Sequence, residues 1–307
     1  MILALAGGVG AARFLEGLIR IVPQRNLTVI GNVGDDIEMY GLHVSPDLDI
    51  VTYTLAGIVD QTKGWGIRND TFTCQELMKG YGYKIWFNIG DKDLATHIYR
   101  TEQLHKGRSL SEVTEEMVKK LGLQIHLLPS TNHNFQTYVI SNGHKMHFQE
   151  YMVRLHTKPR VKRIIFLGSR SARPARGVLK SIRRASGIII SPSNPIVSIG
   201  AILEVPRIRT ALRKAKSRIV AISPIIGGKT IKGPADKLMK SLGFEPTALG
   251  VAKIYRDFLD TLILDTVDEN LARDVESLGI KAVIADTIMK TPSDKVKLAR
   301  IALRELE

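Results

Sequence analysis

The chain has 307 residues, 44% hydrophobic and 24% charged, which excludes disorder and suffices for one large α/β domain or two ordinary ones. No stretch approaches the 18 or so uncharged apolar residues that span a bilayer, no leader pattern opens the chain, and the single Cys74 allows neither an internal disulfide nor a thiolate metal cluster, so a cytoplasmic protein is expected. The formal net charge of +14 suits an anionic partner; the basic stretches 154–184 and 207–218 lack the aromatic interleaving that stacks on single-stranded bases, which favours a phosphorylated small molecule over nucleic acid.

Residues 2–6 are an apolar run. Gly7, Gly8 and Gly10 follow, then Phe14, Leu15, Leu18, Ile19 and Val22 at helical spacing, closed by Pro23. A second apolar run, 27–30, precedes Gly31-Asn32. Strand, glycine turn, helix and strand make the βαβ opening of a nucleotide-binding sheet. The glycines let backbone approach a diphosphate, and the free N–H groups of the helix start bind its oxygens. Arg13 stands where a dinucleotide fingerprint has its third glycine, and no Walker lysine is present. The loop is thus a phosphate cradle of neither common kind.

Asn32-Val33-Gly34-Asp35-Asp36 comes next, then Ser45-Pro46-Asp47-Leu48-Asp49. These carboxylates fall on loops at the carboxyl edge of the sheet, where open α/β folds bind ligands. Hard oxygen donors of this kind suit Mg²⁺ beside a phosphate. Asp35 and Asp49 are the expected pair, with metal ligand and general base not yet distinguished. Pro46 fits the first turn of a helix. Trp65, between Gly64 and Gly66, offers a flat face to a ring system. Further on, Gly90 precedes a helix with a charged first turn: Lys92 for a phosphate, Asp91 or Asp93 for a hydroxyl proton, and His97 one turn later.

Residues 91–121 read as helical, with Ser109 and Glu112 as a capping box. Residues 124–128 and 136–153 read as extended, with Asn142-Gly143 as a hairpin turn. Strand-like runs recur at 164–167, 187–190, 218–222, 262–264 and 282–285. The pattern predicts an α/β fold: a Rossmann-like, doubly wound, mainly parallel sheet in one domain spanning 1–307, with a helical and hairpin insertion at about 90–160. Ser191, Ser193 and Asn194 follow the 187–190 strand and open a helix at Pro195, a second place for the donor nucleotide. Another turn, Gly227-Gly228, precedes Lys232 and a helix start at Pro234.

Taken together, residues 7–14, 32–36, 46–49 and 53–57, Trp65-Gly66, residues 70–72, 90–97 and 191–199, and Gly233-Pro234-Ala235-Asp236 resemble the 2-phospho-L-lactate transferase family of coenzyme F420 biosynthesis. The resemblance implies a Mg²⁺-dependent transfer of a 2-phospholactyl or phosphoenolpyruvyl group from a guanosine diphospho donor. The acceptor is the ribityl hydroxyl of the deazaflavin 7,8-didemethyl-8-hydroxy-5-deazariboflavin (Fo), and GMP is released. It implies an Fo site at Asp49 and Lys92, joined by Trp65 and Asp91. The donor site falls to Gly7, Gly8, Gly10, Asn32, Ser191, Ser193 and Asn194. Lys92 stands where many relatives carry arginine, which keeps the charge without the bidentate fork. A homodimer is expected as the commonest closed assembly. A nucleotide-sugar-binding regulator of the same superfamily shares the glycine loop and residues 32–36, but not the stretch from Trp65 to His97. An NAD(P)-dependent oxidoreductase rests on the opening βαβ alone.

Overall fold

The computed structural model describes residues 1–307. Seven short strands form the central sheet: β1 (Ile2–Ala6), β2 (Leu27–Gly31), β3 (His126–Pro129), β4 (Gly187–Ile190), β5 (Ile219–Ile222), β6 (Thr261–Asp265) and β7 (Lys281–Ala285). All pair in parallel, in the order β7-β6-β5-β4-β1-β2-β3. Such a sheet is covered on both faces, so its strands need unbroken apolar runs rather than alternation. Accordingly β2, β4, β5 and β6 are buried at every residue. The order reverses beside β1: the chain moves one way to β2 and β3, then returns to β1's other side for β4. The loops after β1 and β4 therefore part at the carboxyl edge and leave a crevice.

Helix α1 (Gly8–Leu18) follows β1 and packs against α2 (Pro46–Leu55) and against the last helix, Pro292–Arg304. Pro46 opens α2 as expected. Three further helices, α3 (Thr73–Gly80), α4 (Asp91–His105) and α5 (Leu110–Lys120), lead to β3. The capping box at α5 forms: Ser109 Oγ accepts from Glu112 N at 3.3 Å, and Glu112 Oε2 accepts from Ser109 N at 2.8 Å. No helix is long and apolar enough to cross a membrane.

Four expectations need correction. The run at 164–167 does not join the central sheet. It lies in strand Arg163–Leu167, which pairs antiparallel with Gln136–Ser141 in a separate three-stranded sheet completed by His144–His147. An apolar run of five residues carries no record of its partner. Within the segment 136–153, only the hairpin is extended; its turn at Asn142 and Gly143 has φ of 49° and 79°, and Glu150–Arg154 forms a helical turn instead. The additional structure is not one insertion at 90–160, because β3 lies inside that range. It comes in two pieces, residues 32–125 before β3 and 130–177 after it. Lastly, residues 195–198 form a turn, and the helix after β4 starts at Ile199.

The contact between α1 and the last helix is close. A Cβ on Gly17 would lie 2.3 Å from the Lys295 carbonyl oxygen, and Lys295 Nζ donates to Glu16 Oε2 at 2.5 Å. Gly→Ala inside a helix ordinarily gains up to about 1 kcal/mol. Here the added methyl has no room, so Gly17→Ala should lower stability by about 1–3 kcal/mol. Urea unfolding measures it; a raised midpoint would show that the two helices part at little cost.

Candidate active site

The crevice opens into a cleft of about 700 Å³. Its floor is the carboxyl edge of the sheet: Gly7, Gly8 and Gly10 after β1, Ser193 and Asn194 after β4, Ser223 after β5. Its walls come from Asp35 after β2, from α2 and α4, and from the loop that carries Trp65. The two floor loops are drawn together. A Cβ on Gly10 would fall 2.2 Å from the Pro192 carbonyl oxygen, and Gly7 N donates to Ser193 Oγ at 3.2 Å. Gly8 has φ +74°, a left-handed conformation that glycine adopts without strain. Gly7 at the N-cap has no side chain to offer α1, and Gly8 N–H turns to the Asp47 carboxylate, so the start of α1 brings its N–H groups and that acid together at the cleft.

Two groups of acids lie in the walls, and their environments differ. In the first, Asn32 Nδ2 bridges Asp35 Oδ1 at 3.2 Å and Asp47 Oδ2 at 2.9 Å. Asn32 is itself oriented by Gly34 N, which donates to its Oδ1 at 2.7 Å. Gln149 Nε2 donates to Asp35 Oδ2 at 3.0 Å. No cationic side chain pairs with either carboxylate. Burial, then the negative charge of Asp47, hold the Asp35 carboxyl well above the usual carboxylate range. Burial chiefly, with Asp36 nearby, pushes Asp47 up to about 7 against the opposing hydrogen bond from Asn32. Close by, burial drives His147 down to about 4, and its Nε2 lies 3.1 Å from the Asp36 carbonyl oxygen.

In the second group every acid has a partner. Arg100, fully buried, forms a two-point ion pair with Asp49 through both guanidinium amino groups, NH1 at 3.1 Å. Arg100 NH1 also donates to His97 Nδ1 at 3.2 Å. Tyr53 OH donates to Asp93 Oδ1 at 2.7 Å. Asp36, outside the cleft lining, accepts from Ser45 Oγ at 2.8 Å and lies 2.9 Å from His43 Nε2.

The whole chain from residue 2 to 302 matches the model of a family described as 2-phospho-L-lactate transferase CofD. The chain belongs to that family. A phosphoenolpyruvate transferase of Kitasatospora aureofaciens is 45% identical, over 98% of this chain and 96% of its own. A 2-phospho-L-lactate transferase of Methanosarcina acetivorans is 38% identical, over 97% of each. Among solved structures, a UPF0052-family protein of Bacillus halodurans superposes with a TM-score of 0.66 at 16% identity, covering 98% of both chains. At that identity the likeness supports the α/β fold alone.

The expected site residues divide. Asp35, Gly7, Gly8, Gly10, Ser193, Asn194 and Trp65 all line the one cleft. Trp65 is 39% exposed and edge-on to Phe72, with the Lys63 ammonium 5.6 Å from its ring. Asp49 lines it too, with both its oxygens engaged by Arg100. Asn32 contacts the carboxylate pair rather than the cleft, and Ser191 lies buried beneath the floor. Lys92 points away: its Nζ donates to the carbonyls of Arg68 and Asn69, at 3.2 and 2.6 Å. Asp91 caps α3, accepting from Thr71 Oγ1, Thr73 N and Cys74 N. In return Asp70 caps α4 through Lys92 N and Asp93 N. Charge in a first helical turn marks caps as readily as ligand contacts, and here the caps prevail. Asp47, which the sequence pattern does not set apart from Asp49, and Arg13, Tyr53 and Gln149, which carry no motif signal of their own, line the cleft or hold its acids.

The uncompensated pair has a consequence for stability. Asp47 binds its proton more tightly in the folded chain than in the unfolded one, so the unfolded state binds fewer protons between about pH 4 and pH 7. Stability is then greatest below the unfolded pKa and declines as pH rises through about 7. Asp47→Asn removes the ionisation while keeping an acceptor for Asn32. Without added metal, it should melt a few degrees higher than wild type at pH 8 and at nearly the same temperature at pH 4.5. Thermal melts at the two pH values measure this; equal differences at both would exclude the buried charge as the cause.

Proposed function

We propose that the chain transfers the 2-phospholactyl or phosphoenolpyruvyl group of a guanosine diphospho donor to the ribityl hydroxyl of Fo, giving GMP and the F420 core or its dehydro form. The relatives' names divide between the two donor groups, and both are tested below. The observation that carries the reading is the pairing, within one cleft, of an anion-binding helix start with two buried carboxylates that lack a counter-charge. Their chemistry fits Mg²⁺. Two acids without a basic neighbour suit a hard cation, and the absence of a third acidic or histidine ligand leaves positions for diphosphate oxygens and water. Asp35 and Asp47 would hold the ion, which on binding neutralises the diphosphate and stabilises the charge developing on the departing GMP.

The remaining work falls to the chain itself. The N–H groups at the start of α1 and the cleft-lining Arg13 and Lys232 meet the donor's phosphates. Trp65 provides a wall for the flat deazaflavin. Displacement at phosphorus depends on positioning and charge neutralisation more than on covalent catalysis, and the cleft offers no nucleophile–base pair of the serine or cysteine type.

The purified protein, given Fo, Mg²⁺ and each guanosine donor in turn, should yield the phospholactyl or phosphoenolpyruvyl deazaflavin, identified by mass. Asp35→Asn and Asp47→Asn should each lower turnover by about 100-fold, the scale of a lost electrostatic contact. Near-normal rates at saturating Mg²⁺ would remove that residue from the metal site. Trp65→Ala should weaken Fo binding by about 1–3 kcal/mol, by analogy with stacking on bases, with GDP affinity unchanged. Fluorescence titration with Fo beside GDP calorimetry measures both, and parallel losses would mean that Trp65 only supports the loop.

A further inference from the structure

We infer that Asp93 is the carboxylate that takes the proton from the attacking hydroxyl, held in place by Tyr53 and by a His97 whose tautomer Arg100 fixes. The inference rests on the transferase reading above. Four carboxylates line the cleft: Asp35, Asp47, Asp49 and Asp93. The first two are bridged by Asn32 and suit the metal, and Arg100 engages both oxygens of Asp49. Asp93 differs. Its Oδ1 accepts from Tyr53 OH at 2.7 Å and lies 3.3 Å from His97 Nε2. Its Oδ2 takes no hydrogen bond from the protein, and the side chain keeps 12% of its accessibility at the cleft wall. One oxygen is anchored and the other is free to meet a substrate.

The anchoring depends on which nitrogen of His97 carries a proton. Arg100 is a donor only, and its NH1 points at Nδ1 from 3.2 Å. Nδ1 must therefore accept, which leaves the ring hydrogen on Nε2, on the side of Asp93. That Nε2 is buried and forms no aligned hydrogen bond; Asp93 Oδ1, 3.3 Å away, is the acid it faces. Arg100 is in turn held by Asp49. The Asp49–Arg100 ion pair thus positions the imidazole, and the imidazole with Tyr53 positions the carboxylate.

In the transfer step, the acceptor oxygen bonds to the phosphorus distal to guanosine. The P–O bond to GMP breaks, and its electron pair leaves on the GMP phosphate oxygen. The hydroxyl proton passes to Asp93 Oδ2. No other reactant is needed.

Asp93→Asn tests this, because the amide oxygen still accepts from Tyr53. We expect kcat to fall by at least about 100-fold, the usual contribution of a positioned base. KM for Fo and affinity for GDP should stay within about threefold, the split expected when an interaction made only in the transition state is lost. The residual rate of the variant should climb with pH between 7 and 9, where wild type is flat, because only the ionised hydroxyl then reacts. For the positioning residue, His97→Gln, which keeps an N–H donor, should retain most of kcat, whereas His97→Phe should lose about tenfold at unchanged KM. The inference is overturned if Asp93→Asn keeps more than a tenth of kcat, or if its loss lies in KM for Fo with a pH profile parallel to wild type. Absence of transfer by wild type with either donor would instead overturn the transferase reading, and this inference with it.

Discussion

The structure depends on two buried carboxylates that share one amide. Asn32 holds Asp35 and Asp47 together with a single Nδ2, in a place where burial and mutual repulsion favour the protonated form. Placing charges out of water is costly unless they are paired. The other acids around the cleft are paired, Asp49 with Arg100, Asp36 with His43 and Ser45, and Asp93 with Tyr53. Within the cleft the exception is local. It lies where the cleft meets the start of α1, the place proposed above for the metal.

The fold brings this about by topology. The return of the chain across β1 parts two loops at the carboxyl edge of the sheet, and the close approach of Gly10 to Pro192 sets the width of the gap at its base. The long connection between β2 and β3 then supplies what the bare sheet lacks. It carries Asp35, Asp47, Asp49, Trp65 and Asp93, and folds them back over the gap through α2 and α4. Floor and walls thus divide the work: backbone N–H groups from the sheet edge for an anion, side chains from the connection for the rest.

The reciprocal caps at Asp70 and Asp91 show how that connection is kept rigid. Asp91, at the start of α4, accepts from exposed N–H groups at the start of α3, and Asp70, before α3, accepts from those of α4. Lys92 ties the same loop from outside through two carbonyls. The start of α4 is fixed from three directions, so Asp93 and His97, one turn apart, face the cleft with little freedom.

The sequence by itself determined whatever depends on neighbours a few residues away. The buried parallel strands, the glycine turn after β1, Pro46 at the start of α2, the capping box at Ser109 and the hairpin at Asn142-Gly143 are local signals, written in periodicity, φ preference and side-chain capping. The set of motifs also identified the family, because it spans most of the chain. Only the tertiary structure decided which charges meet. Asp49 and Arg100 are 51 residues apart, and Asp35 and Gln149 are 114 apart. Asp47 and Asp49 lie in one helical turn with the same local sequence signal. One faces Asn32 without a counter-charge and the other faces a guanidinium, and that difference comes from packing α2 against α1 on one side and α4 on the other. Likewise, the apolar run at 164–167 could be read as a strand but not assigned a sheet. Charge compensation and strand pairing are energies between distant segments, and no window along the chain contains both partners.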